Sequence, residues 1–127
     1  MERLLRRSDF LAAAKSPSAA SLAVVVQCRA RADEKPFRVG FTCTKKLGNA
    51  VVRNRIRRRM REAAQQILPE LAKSKHDYVL IGRKGAENRP FEALRKDIIS
   101  ALTKLHAGQG KTFDRSKRPP RNKDKQP

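Results

Sequence analysis

The sequence predicts an α/β sandwich in which three helices pack on a small sheet. Three observations carry that expectation. Short β-branched runs, one of them alternating with a period of two, mark strands. Two longer stretches repeat apolar residues every three or four positions, as amphipathic helices do. Strands and helices interleave along the chain, the pattern of helices layered on a sheet. A length of 127 residues suits one domain, and with 5% aromatic residues and no tryptophan its core must be small and aliphatic.

Ser8-Asp9-Phe10 opens the first element. Ser8 or Asp9 is placed to cap a short helix over residues 10–15, which Ser16-Pro17-Ser18 stops. Between Ser21 and Cys28, the run Leu22-Ala23-Val24-Val25-Val26-Gln27 reads as a buried strand. A polar connection follows, with Asp33-Glu34-Lys35-Pro36 as its turn. From Phe37 to Thr44 the odd positions line one face and the even positions the other. That predicts a half-buried strand paired with the preceding one as a hairpin.

Lys45-Lys46-Leu47-Gly48 is a basic turn, and Asn49 is a good N-cap for the helix after it. Val52, Ile56, Met60, Ala63 and Ile67 fall within about 80° of one another on that helix. Pro69 interrupts or ends it. Asp77 to Gly82 is a further strand and Gly85 to Arg89 a loop. Pro90 suits the start of a last helix with Phe91, Leu94, Ile98, Ala101, Leu102 and Leu105 on one side. The character changes after His106. Residues 1–107 form the predicted domain. Residues 108–127 open on Gly108-Gln109-Gly110, hold no aliphatic residue and repeat Arg, Lys and Pro, which predicts a basic, disordered tail.

Lysine and arginine number 31 against 12 acids, a formal net charge of +19. Self-repulsion of that size disfavours the compact state, and a polyanionic partner is its usual reason. An ordinary metabolic enzyme is therefore not the default. No stretch approaches the roughly 20 apolar residues of a membrane span. The charged opening Met1 to Arg7 is not followed by the apolar run of a secretory signal. Cys28 and Cys43 cannot staple a domain this size, which predicts a reduced, intracellular protein.

The densest signal lies between Lys45 and Arg61: Lys45, Lys46, Arg53, Arg55, Arg57, Arg58, Arg59 and Arg61, with no acid among them. Arg53, Arg57 and Arg61 form one row along the helix, and Arg58 continues round the far side. Solvated helices normally interleave acids at this spacing because like charges there repel. A helix without them is built for phosphate, which the guanidinium fork matches bidentately. It does not by itself distinguish DNA from RNA. Asn54, between two arginines, is a group able to reach a base or sugar. Phe10 is either a stacking platform for a base or a core phenylalanine anchoring the first helix.

Catalytic constellations are missing. His76 and His106 read as surface residues, and Cys28 and Cys43 as buried structural thiols with no metal-ligand spacing. The acids are scattered singly, so no carboxylate pair predicts a two-metal nuclease site built by this chain. No Gly-rich phosphate loop occurs.

The run from Arg38 to Ala63, with Lys45-Lys46-Leu47-Gly48-Asn49-Ala50-Val51-Val52-Arg53-Asn54-Arg55 leading into the basic helix, strongly resembles the protein subunit of bacterial ribonuclease P. The resemblance extends through Asp9-Phe10, the Val24 to Cys28 strand, Asp77 to Lys84 and the last helix. It covers roughly residues 8–106 and leaves the tail outside.

The resemblance implies an αβββαβα order on a small mixed sheet, with a left-handed βαβ crossover around the basic helix and an extra short strand near Ser18 to Ala20. It implies a holoenzyme that removes the 5′ leader of precursor tRNA by hydrolysis. A large RNA with bound magnesium is the catalyst, and the protein is its cytoplasmic cofactor, without catalytic residues, membrane or stable protein partner. On matching positions, Lys45, Lys46, Arg53, Asn54, Arg55, Arg57, Arg58 and Arg61 would contact the catalytic RNA. Phe10, Val25 and Gln27 would line a cleft for the single-stranded leader. Two positions depart from the family pattern: Ala14 stands where a second aromatic often occurs, and Gln27 where an aromatic such as tyrosine occurs. Hydrogen bonds and charge would then hold more of the leader than stacking does. A ribosomal or general structural RNA-binding protein is the alternative, and it leaves the Gly-Asn-Ala-Val-x-Arg-Asn-Arg run unexplained. A DNA-binding regulator would need a groove-reading element such as a helix-turn-helix.

Overall fold

The computed structural model describes residues 1–111. In chain order the elements are β1 (Glu2–Arg3), α1 (Arg7–Ala14), β2 (Ser18–Ala20), β3 (Val24–Ala30), β4 (Arg38–Thr42), a single 3-10 turn (Lys45–Leu47), α2 (Ala50–Leu71), β5 (His76–Gly82) and α3 (Phe91–His106). The sheet is mixed, five-stranded, in the order β1-β4-β5-β3-β2. The α/β class, the three helices and the short strand at Ser18–Ala20 are as expected. The expectation for the tail falls, from residue 112 onward, outside the described residues. Lys111 itself pairs with Ser18 of β2 through two backbone hydrogen bonds of 2.8 Å.

The predicted hairpin does not form. β5 lies between β3 and β4, antiparallel to β3 (Val26 opposite Leu80) and parallel to β4 (Phe41 opposite Leu80). The reason lies in β5 itself. Tyr78, Val79 and Leu80 are all buried, so this strand is apolar on both faces and belongs in the middle of the sheet. The polar connection between β3 and β4 is long enough to pass round its end. Arg31 N donates to Lys75 O at 2.7 Å and Lys75 N to Lys35 O at 2.9 Å, tying that connection down.

Smaller points also need correction. β1 was not anticipated: Glu2 and Arg3 pair in parallel with Arg38 and Val39, and Leu4 behind them is buried. α1 begins at Arg7 with Arg6 at its cap position and no side-chain cap, so neither Ser8 nor Asp9 is the cap. Asp9 instead points to Arg29 and Arg38 of the sheet. β3 starts at Val24, because Ser21 N donates to Val24 O in a turn that leaves Leu22 74% exposed. At the other end, α2 runs two residues past Pro69, in its last turn.

The main core lies between the sheet and the pair α2, α3. Val24, Val26, Val39, Phe41, Tyr78 and Leu80 face Ile56, Met60, Ala63, Ile67, Leu94, Ile98 and Leu102. The other face carries a smaller cluster of Leu4, Ala13 and Val79, with Phe10 and Ile81 packed against it. α1 is the helix on that face, so much of it is left uncovered. His106 is not the surface residue expected. It is half-buried, with Nε2 2.9 Å from the hydroxyl of the fully buried Tyr78, which also accepts from Lys73 N at 3.0 Å. Burial pushes the Tyr78 phenol up. Burial also pulls the His106 imidazole down, helped by the charges of Lys73 and His76.

Candidate nucleic-acid interface

α2 is fixed first by its start. Asn49 Oδ1 accepts from Val52 N at 3.0 Å, the capping geometry that its position predicts. The helix then lies close on β5 because residue 82 is glycine. A Cβ there would stand 2.7 Å from Ile56 Cγ2. With the apolar stripe on the sheet, the arginines are distributed over the remaining surface.

Arg53, Arg57 and Arg61 flank the stripe and are half-buried. Burial pushes the Cys43 thiol up, and the charges of the nearby Arg57 and Arg53 oppose that rise. Asn54 Oδ1 accepts from Arg57 Nη1 at 2.9 Å, so the two side chains are held as one unit. Arg58, Lys45 and Lys46 are exposed. Among the described residues, no carboxylate lies within ion-pair distance of any of these cations, and the Nε atoms of Arg53 and Arg61 are buried without a hydrogen-bond partner. The acids serve elsewhere: Asp97 binds Arg89, and Glu92 binds Arg95.

The opposite flank of α2 differs. Arg59 donates to the carbonyls of Ala86 and Arg89, stapling the 86–89 loop to the helix, and burial pulls its guanidinium down, with the Arg55 charge adding to the effect. Arg55 is intermediate: its Nε donates to Glu87 O at 2.9 Å while the residue stays exposed. Sequence alone could not separate these roles, since all are arginines on one helix and the partners are backbone atoms of a distant loop.

The second half of the candidate interface is the uncovered sheet face. Register places Gln27, Val79 and Gly40 in one row across β3, β5 and β4, and Val25, Ile81 and Thr42 in the next. Phe10 sits over Gly40, where a Cβ would come within 2.6 Å of two ring carbons, so the absence of a side chain makes its seat. Phe10, Val25 and Gln27, singled out from the sequence, thus come together on one surface, all half-buried. Phe10 both packs on the small cluster and offers part of its ring. Ile81 and Thr42 were missed, although the period of two along their strands places them on this face.

A third row, Arg29, Asp77 and Arg38, closes one end of that surface. The Asp77 side chain is fully buried. Arg38 grips it with Nε to Oδ1 and Nη2 to Oδ2, each at 2.8 Å, Arg31 Nη1 reaches Oδ1 at 2.5 Å, and Arg29 Nη1 stands 3.5 Å from Oδ2. Desolvation would raise the Asp77 carboxyl, but the Arg38 and Arg31 hydrogen bonds and charges outweigh it and hold the group below its ordinary value. Asp9 of α1 joins the cluster, 3.2 Å from Arg29 and 3.5 Å from Arg38.

A family model described as Ribonuclease P matches residues 1–106, ending where α3 ends. The chain is 51% identical over 107 residues to the ribonuclease P protein component of Caulobacter vibrioides (strain NA1000 / CB15N), covering 84% of this chain and 72% of that protein. It is 50% identical over 107 residues to the corresponding protein of Ruegeria pomeroyi, covering 82% of this chain and 86% of that one. Among solved structures, the RNase P protein of Staphylococcus aureus, 27% identical, matches with a TM-score of 0.70 over 83% of this chain and 95% of that chain.

Proposed function

From the premise that the chain belongs to the ribonuclease P protein family, we propose that it is the non-catalytic cofactor of an RNA-catalysed endoribonuclease that removes the 5′ leader of precursor tRNA. The observation that carries this reading is the Arg53, Arg57, Arg61 row, with Asn54, Arg55, Arg58, Lys45 and Lys46 around it. It is a cationic helix face without carboxylate partners among the described residues. Such a face suits an RNA backbone, since each guanidinium that meets a phosphate also releases condensed counterions. The catalytic RNA is its partner in this reading. Phe10, Val25 and Gln27, with Ile81 and Thr42 beneath, hold unpaired leader nucleotides on the uncovered sheet face.

The division of labour follows from chemistry. Among the described residues, His76 Nδ1 is engaged with Ser74 O and His106 Nε2 with the hydroxyl of Tyr78, which is fully buried away from both candidate surfaces. Among the described residues, no three His, Cys, Asp or Glu side chains converge as a metal site. Magnesium in this reading is held mainly by the RNA. This chain binds, orients and neutralises charge. No helix of the described residues is long and apolar enough to cross a membrane.

The test is reconstitution of precursor tRNA cleavage with the candidate catalytic RNA, with and without this chain. The chain should enhance cleavage and should not cut by itself. Robust cleavage by RNA-free protein would overturn the proposal. A paired titration tests the cleft. Phe10→Ala should weaken holoenzyme binding to leader-bearing precursor by about 1 kcal/mol, the low end for lost base stacking, and leave mature tRNA unaffected.

A further inference from the structure

α1 is the wall of the sheet-face cleft, yet little holds it there. It has eight residues, no side-chain cap and one fully buried side chain, Ala13. A helix this short is not stable by itself, so its placement must come from tertiary contacts. Two contacts besides Ala13 are specific. Phe10 sits over Gly40, and Asp9 reaches Arg29 at 3.2 Å and Arg38 at 3.5 Å.

Arg29 and Arg38 are not free surface cations. Arg38 is locked in a two-pronged bond to the fully buried Asp77, Arg29 stands beside the same carboxylate, and Arg31 completes the cluster from the β3–β4 connection. The cluster therefore presents Asp9 with a rigid cationic notch at the end of the sheet. Asp9 precedes Phe10 directly, and Ala13 lies one turn on, so the carboxylate sets both the rotation of α1 and the height of the ring over Gly40. A flexible surface ion pair would contribute little; here both arginines are already ordered, so little further freedom is lost when Asp9 docks.

We propose that Asp9 is a positioning residue for leader recognition: its carboxylate docks α1 into the Arg29–Arg38 notch and thereby presents Phe10 to the leader. The inference rests on the leader-cleft reading above. It makes an expectation opposite in sign to simple electrostatics. Removing a negative charge from a protein that binds a polyanion strengthens binding by the general charge term. Removing a positioning residue weakens it, and only for leader-bearing substrate.

The experiment uses holoenzyme reconstituted with the catalytic RNA and titrated with precursor and mature tRNA. The variants are Asp9→Asn, Asp9→Glu, Phe10→Ala and the Asp9→Asn/Phe10→Ala double, with hydrogen exchange of the α1 amides as a second readout. Asp9→Asn should weaken precursor binding about fivefold, matching Phe10→Ala. It should speed α1 exchange while β5 stays protected, and leave mature tRNA and catalytic RNA binding unchanged. The double variant should lose no more than Phe10→Ala alone, the non-additivity of residues acting through one contact. Asp9→Glu should recover part of the loss. Unchanged or tighter precursor binding by Asp9→Asn, beside a loss in Phe10→Ala, would overturn the positioning role and leave the cleft reading standing. If Phe10→Ala itself does not separate precursor from mature tRNA, the cleft reading fails, and this inference with it. Equal losses for both tRNAs in Asp9→Asn, without recovery in Asp9→Glu, would assign Asp9 to the fold alone.

Discussion

Arg29, Arg31 and Arg38 gather around Asp77 on one side of the sheet, while Arg53, Arg57 and Arg61 run along α2 on the other. The residue type is the same and the surroundings are opposite. In the first group every guanidinium has a carboxylate within 3.5 Å, and the central Asp77 is fully buried. In the second, no carboxylate is near among the described residues, and Arg57 has only the amide oxygen of Asn54. With 12 acids for 31 Lys and Arg residues, carboxylates are scarce. Their placement saturates the first group and leaves the second without an anionic partner among the described residues. Arginine density does not make that distinction; a committed acceptor does, a carboxylate for Arg29, Arg31 and Arg38 and backbone carbonyls for Arg59.

The largest expected effect comes from breaking the saturated group. Asp77→Asn leaves three guanidinium groups around a neutral amide, and loss of one partner from a buried ionic cluster costs about 3–5 kcal/mol. Chemical denaturation at neutral pH should show it. The pH dependence follows from the same carboxylate, whose folded pKa lies below its ordinary 3.8. Its stabilisation is fully present above about that pH. It is lost as pH falls through the lower, folded value, because the unfolded chain takes up the proton first. Wild-type protein should therefore lose this part of its stability below about pH 4, and Asp77→Asn should flatten that limb. A variant as stable as wild type, with an unchanged acid limb, would break the comparison.

The next effect sets the two flanks of α2 against each other. Arg53→Ala should weaken binding to the catalytic RNA by about 1.5–3 kcal/mol, the range of a charged hydrogen bond. It should reduce the salt slope of binding by about one and leave stability within about 0.5 kcal/mol. Arg59→Ala should do the reverse. It strands the carbonyls of Ala86 and Arg89, at a cost of about 1–3 kcal/mol in stability, with RNA affinity nearly unchanged. Thermal unfolding and RNA titration on the same two proteins make the test. Similar behaviour of both variants in both measurements would erase the distinction.

Much of this was legible in the sequence because it depends on local pattern. Asn49 capped where its residue type and the following stripe required, and Ile56, Met60, Ala63 and Ile67 were buried as their spacing required. The site was legible for a similar reason, since Arg53, Arg57 and Arg61 project wherever the stripe does not. What stayed hidden was pairing between distant segments. No local signal says that β5 would insert between β3 and β4, beyond its apolarity on both faces. Glu2–Arg3 is too short and too charged to read as a strand, and is held only by β4. Asp9, Asp77 and Arg38 lie far apart in sequence, and meet only once the sheet order brings residues 29, 77 and 38 into one row. For that reason an Asp9 that resembled a helix cap was in fact aimed at the sheet.

Arg55 is the sharpest and smallest test, because it belongs to neither group. One nitrogen, Nε, is committed to Glu87 O at 2.9 Å, and among the described residues neither terminal nitrogen has a hydrogen-bond partner. The residue is exposed, so the lost hydrogen bond is replaced in part by water. Arg55→Ala should therefore cost about 0.5–1 kcal/mol of stability, the lower part of the range for a single hydrogen bond. The guanidinium is pinned by its own Nε, so a phosphate meeting its outer edge finds it already oriented, and less side-chain freedom is lost on contact. RNA affinity should fall by about 1 kcal/mol, less than for Arg53→Ala. Arg55→Lys keeps the charge and removes the fork, so it cannot hold Glu87 O and reach outward together. It should recover the salt dependence of binding but not the full affinity. If Arg55→Ala loses stability alone, the loop-facing flank ends at this residue; if it loses affinity alone, the partner-facing surface extends round the helix to it.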